Sequence, residues 1–106
     1  MGVCEMDQWN TKKLVAGVVN SYAVCWEWFF DDKDIVNIQV FGRKRNGDKG
    51  IIVMFYIDED GQTTYATEPK PDNIYFVKRV INEVQYALFE RVGKHGVAKK
   101  VVKRKL

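Results

Sequence analysis

Proline and cysteine are scarce in these 106 residues, two of each, and there is a single histidine. Two thiols, Cys4 and Cys25, make no disulfide framework and fit a reducing, cytoplasmic setting. No Cys-x-x-Cys or His-x-x-x-His spacing occurs, so a structural zinc is excluded and no metal or cofactor is expected. His95 stands between Lys94 and Gly96 with no group to orient it. An activated nucleophile needs such a third group, so we expect no enzyme of that kind. Long apolar runs are missing as well: charges interrupt every stretch before the roughly 18–20 residues of a membrane span. Glu5, Asp7, Lys12 and Lys13 break up the first residues, where we expect no secretory leader. There is no internal repeat, and no acid follows Glu90.

What is present is apolar material enough for one core, 46% hydrophobic and 13% aromatic, in a chain of single-domain size. The net charge of +3 hides an asymmetry. Seven of the 17 basic residues are Arg91, Lys94, Lys99, Lys100, Lys103, Arg104 and Lys105; the ten others face 14 acids, which makes residues 1–90 a −4 body. We expect one domain over residues 1–93 and a basic tail over 94–106, ordered as a short helix or strand. Such an arm attracts nucleic acid by phosphate contacts and counterion release; the plainer reading is a solvated tail.

Leu14, Val15, Val18, Val19 and Tyr22 recur at helical spacing, so residues 7–23 read as a helix with Asn10 or Thr11 as its cap. The run Cys25–Phe30 fits either an extension of that helix or a new strand, closed by Asp31, Asp32 and Asp34. Residues 35–43 alternate, with Val36, Ile38 and Val40 on one face. Asn46-Gly47 supplies a tight hairpin, residues 51–57 a central strand apolar on both faces, Asp58–Gly61 a second turn, and residues 62–67 a third strand. Pro69 and Pro71 end the sheet. Pro71 with Asp72 or Asn73 opens a second helix, whose stripe is Val77, Val80, Ile81, Val84 and Leu88 and whose C-cap is Gly93. The expected architecture is a two-layer α+β domain, helix–three-stranded antiparallel sheet–helix, followed by the basic tail.

Few constellations carry chemistry. Asp58-Glu59-Asp60-Gly61 lacks the earlier acid of a calcium loop, since Tyr56 stands there, and reads as a solvated turn. Asp58 followed by Glu68-Pro69-Lys70 resembles the core of PD-(D/E)xK nucleases, which implies a Mg²⁺ held by the two acids and a lysine assisting water. Arg43, Lys44, Arg45 and Lys49 line the first hairpin. With Lys99, Lys100, Lys103, Arg104 and Lys105 they form the nucleic-acid-binding set. The element order over residues 7–92 resembles double-stranded RNA-binding domains, but Pro71-Asp72-Asn73 opens the second helix where that family carries a lysine cluster. Trp26, Trp28, Phe29 and Phe30 cannot all face inward from one element. Apart from their core role, Trp26 and Trp28 are candidate protein-binding anchors rimmed by Glu27 and the three aspartates.

Residues 51–89 present an apolar strand, the Asp60-Gly61 turn, a short strand with Tyr65, acidic residues and an amphipathic helix. This succession resembles part of the small phage-encoded type II anti-CRISPR proteins, which inhibit Cas9. The resemblance implies that Asp58, Glu59, Asp60, Glu68 and Asp72 act as phosphate-like charges, with Asp31, Asp32 and Asp34 as a second cluster. Known DNA mimics of that group are acidic throughout, whereas this chain ends in +7. The expectation is a non-enzymatic interaction protein of a phage or mobile element, acting in the host cytoplasm on a nucleoprotein such as a CRISPR effector. Protein contact would come from Asp58, Glu59, Asp60, Trp26 and Trp28. The alternative is sequence-independent RNA or DNA binding through hairpin and tail. A homodimer and a metal-dependent nuclease follow, and no membrane partner is expected.

Overall fold

In the computed structural model, residues 7–22, 24–92 and 101–105 are described, with side chains over 7–22 and 24–90. Cys4, Gly93, Lys94, His95, Lys99 and Lys100, and with them the expected boundary at 93/94, lie outside the described residues. The elements are α1 (Gln8–Asn20), β1 (Trp26–Phe30), β2 (Val36–Arg43), β3 (Lys49–Ile57), β4 (Thr63–Thr67), α2 (Ile74–Val92) and β5 (Val101–Lys105). They form one sheet in the order β1-β2-β3-β4-β5, antiparallel through β4, with β5 added parallel to β4.

The α+β class stands, and the three-stranded sheet is corrected to four antiparallel strands plus β5. Residues 26–30 are a strand, not a continuation of α1. Trp26, Trp28 and Phe30 pair with Val40, Ile38 and Val36, so the aromatic run extends the hydrophobic face of β2 instead of coiling away from it. The helix boundary is corrected too. Asp7, not Asn10 or Thr11, is the N-cap: its carboxylate accepts the Asn10 N–H at 2.8 Å, and Thr11 is buried inside the first turns. At α2 the Asn73 Oδ1 accepts the Phe76 N–H at 3.1 Å and does the capping, while Pro71 bridges to Lys44.

Both helices pack on one face of the sheet. Val15 and Val19 of α1 meet Val36, Ile38 and Val40 of β2, Val53, Phe55 and Ile57 of β3, and Val77, Val80, Val84 and Leu88 of α2, all fully buried or nearly so. This is the residue set that the helical and alternating periodicities single out. A bulge between Val40 and Phe41 swings Ile52 into the same core, where its Cδ1 lies so close to Gly42 that an added Cβ would come within 2.7 Å.

Three connections share one geometry. In 31–35, 44–48 and 58–62 the first residue's N–H reaches the carbonyl of the fifth, and the fourth residue's N–H reaches the carbonyl of the first. The fourth residue is Asp34 (φ 59°), Gly47 (φ 91°) or Gly61 (φ 81°). Each is a three-residue hairpin loop closed by a left-handed residue, so Asn46-Gly47 forms this longer loop, with only Gly47 at positive φ, instead of a two-residue turn.

Candidate functional site

The strand directions decide where charge collects. α1 begins at the end of the sheet that holds the 31–35 and 58–62 loops, because the Gln8 side-chain amide donates to the Asp34 and Ile57 carbonyls at 2.7 and 3.1 Å. Asp7, Asp31, Asp32, Asp34, Asp58, Glu59 and Asp60 therefore share this end, with Lys33 as the single base among these loops. The other end carries the 44–48 hairpin and the 68–73 connection. Arg45 N–H donates to the Lys70 carbonyl at 2.9 Å and Asp72 N–H to the Arg43 carbonyl at 3.0 Å, tying the two segments together. Lys44, Arg45, Asn46, Glu68 and Lys70 line one open concavity there. Lys44 and Glu68 form an ion pair at 3.6 Å, and Arg43 and Lys49 add further positive charge at the root of the hairpin. By register Lys105 pairs with Thr67, so β5 carries positions 103–105 toward this basic end.

Two of the acids are committed to their own loops. Asp31 Oδ1 accepts the N–H groups of Lys33 and Ile35 at 2.8 and 3.1 Å, and its Oδ2 accepts from Asn37 Nδ2 at 3.0 Å. The Asn37 hydrogen bond first, and the Ile35 N–H next, hold the Asp31 carboxyl below its ordinary 3.8. Asp58 Oδ1 accepts the N–H groups of Asp60 and Gln62 at 2.9 and 2.8 Å in the same way. Asp32 and Glu59 extend from these loops into solvent.

The candidate aromatic anchors divide differently from their sequence grouping. Trp26 and Trp28 are half-buried at the edge of the core, and Trp26 Nε1 donates to Asn20 Oδ1 at 3.2 Å. Phe29 and Phe30 are the exposed residues of the run, on opposite faces of β1, and Trp9 of α1, a residue whose role sequence periodicity did not reveal, is exposed beside Trp28. Trp28 stands edge-on to both Trp9 and Phe30, and the Lys12 ammonium lies 4.0 Å from the Trp28 ring and 4.7 Å from that of Trp9. This corner fastens the edge strand β1 to α1.

The nuclease-like residues are not brought together. Asp58 leaves the bottom of β3, whereas Glu68 and Lys70 follow the top of β4, a strand of five residues at about 3.3 Å each away. Among the described residues no group of three His, Cys, Asp or Glu side chains is placed to hold a metal, and no helix is long and apolar enough to cross a membrane. No family model, no curated protein and no solved structure matches the chain.

Proposed function

We propose that this chain is a non-enzymatic binding protein that docks on a protein–nucleic acid machine and blocks it. The observation that supports this reading is the unequal charge at opposite ends of one sheet, strongly acidic at one and net basic at the other, where Arg43, Lys44, Arg45, Lys49 and Lys70 outnumber Asp48, Glu68 and Asp72. An acidic end that offers Asp32 and Glu59 fits a basic channel built for phosphates. A basic end with Lys44, Arg45 and Lys70 fits the nucleic acid that such a machine already holds. A guide-loaded type II CRISPR effector is the machine that the likeness over residues 51–89 points to. Its site of action is then the host cell that contains the effector.

A second reading, direct binding of RNA or DNA, rests on the backbone bonds that lock the 44–48 and 68–73 segments into one basic concavity. The two readings part in a binding experiment with guide-loaded effector and with bare duplex and RNA, over roughly 50–200 mM salt. Docking on the machine is expected to give tight binding to the effector, lost with Asp32→Lys plus Glu59→Lys, and weak binding to bare nucleic acid. Tight, salt-steep binding to bare nucleic acid, abolished by Lys44→Glu plus Arg45→Glu, installs the second reading instead.

A further inference from the structure

The outward face of α2 is unaccounted for by either end of the sheet. While Val77, Val80, Ile81, Val84 and Leu88 face the core, Tyr75, Arg79, Asn82, Tyr86 and Phe89 follow one another at steps of four, three, four and three and are exposed. That spacing is the one along which a helix meets another helix, here with Arg79 and Asn82 between the aromatics. Tyr75, Tyr86 and Phe89 are 81%, 62% and 55% exposed and share one helix face, as the apolar groups of an interaction surface do. Lys78, Arg79, Asn82, Glu83 and the two tyrosines shape a shallow trough along this face.

Charge is uneven over the middle of the helix. Lys78 and Arg79 lie in its first half, toward the basic end of the sheet, Glu83 stands at its midpoint, and Glu90 and Arg91 offset each other in its last turn. The Tyr86 hydroxyl donates to the Glu90 carboxylate, which holds the phenol above its ordinary 10.0. Two copies laid parallel would set Lys78 and Arg79 against the same residues, whereas two laid antiparallel set Arg79 near Glu83. We infer that this face binds a second copy of the chain, α2 on α2, in an antiparallel two-fold dimer. With the axis crossing near residues 80–82, Tyr75 of each copy lies over Tyr86 of the other, and Arg79 lies beside Asn82 and Glu83 of the other. The same rotation sets the acidic end of each sheet next to the basic end of its neighbour.

The three aromatics offer roughly 400 Å² per copy, from about 200 Å² for each ring when fully exposed. With the stems of Lys78, Arg79 and Gln85 the total for two copies comes to about 1,000–1,200 Å², the low end of specific interfaces and the size of a weak dimer. The test is sedimentation equilibrium of the full chain from about 1 to 500 µM. A monomer–dimer equilibrium in that range is expected, weakened about tenfold or more by Tyr75→Ala plus Tyr86→Ala. Arg79→Glu alone and Glu83→Arg alone each weaken it, and the double variant Arg79→Glu/Glu83→Arg restores it, because position 79 meets position 83 across the axis. All four positions are exposed, and circular dichroism of each variant checks that the fold is intact. A chain that stays monomeric at 500 µM overturns the proposal. So does a dimer indifferent to the tyrosine changes, or a double variant no better than its single parents, which is the outcome expected if this face serves a different protein.

Discussion

Thr11 is a hydroxyl in the wrong company. It is fully buried on the core side of α1, and its Oγ1 has no hydrogen-bond partner. A buried polar group left unsatisfied costs on the order of 1–3 kcal/mol, so the near-isosteric Thr11→Val should raise stability by about 1 kcal/mol in urea unfolding. Asp34 poses the converse case. It holds φ 59° in the loop position that glycine fills in the other two hairpins, and Asp34→Gly should relieve about 0.5–1 kcal/mol of backbone strain. Asp31 links the acidic end to pH. Its folded carboxyl sits below 3.8 because Asn37 and the loop N–H groups bind the anion. The ionised form is thus favoured by folding, which adds stability above the unfolded value that is lost as pH falls through the lower folded one. Asp31→Asn should flatten that acid limb of the stability curve while leaving the loop bonds from Lys33 and Ile35 to an amide oxygen. An acid limb as steep in the variant as in the parent would contradict it.

Elements differ in how far the sequence announces them. The spacing of Val77, Val80, Val84 and Leu88 and the alternation of Val36, Ile38 and Val40 are direct images of burial, so α2 and β2 are legible. Two of the three loops carry a glycine where positive φ is needed; the third uses Asp34, and without that marker the hairpin joining β1 to β2 cannot be read. β1 hides for a second reason: Trp26–Phe30 is nearly all aromatic, so neither a two-residue nor a helical period stands out. Its position rests on α1 through the Trp9–Lys12–Trp28 corner. Lys12→Ala should cost about 0.5–1 kcal/mol, and hydrogen exchange at Trp26–Phe30 should accelerate more than at β2 or β3. Uniform acceleration across the sheet would mean that the corner does not hold β1 in particular. β5 is least legible of all, because a parallel partner for β4 is reached only by crossing over through α2.

At the scale of the whole molecule, the acidic and basic residues were legible as separate clusters, Asp58–Asp60 and Arg43–Arg45. Their opposition was not. It follows from strand direction, which puts the 31–35 and 58–62 loops at one end and the 44–48 and 68–73 segments at the other. Proximity in sequence misleads in both senses here: Asp58 and Lys70 are separated by the length of β4, while Arg45 and Lys70 are joined by a backbone hydrogen bond of 2.9 Å. The aromatic cluster is likewise redistributed, with Trp26 and Trp28 lining the core edge and Phe29 and Phe30 facing solvent. The measurement that tests the account most directly is target-DNA cleavage by a guide-loaded type II effector, titrated with the full chain and with its Asp32→Lys/Glu59→Lys variant. The expected result is cleavage suppressed by the parent chain and restored by the variant. Cleavage that proceeds unchanged under a large molar excess of the parent chain would contradict the account.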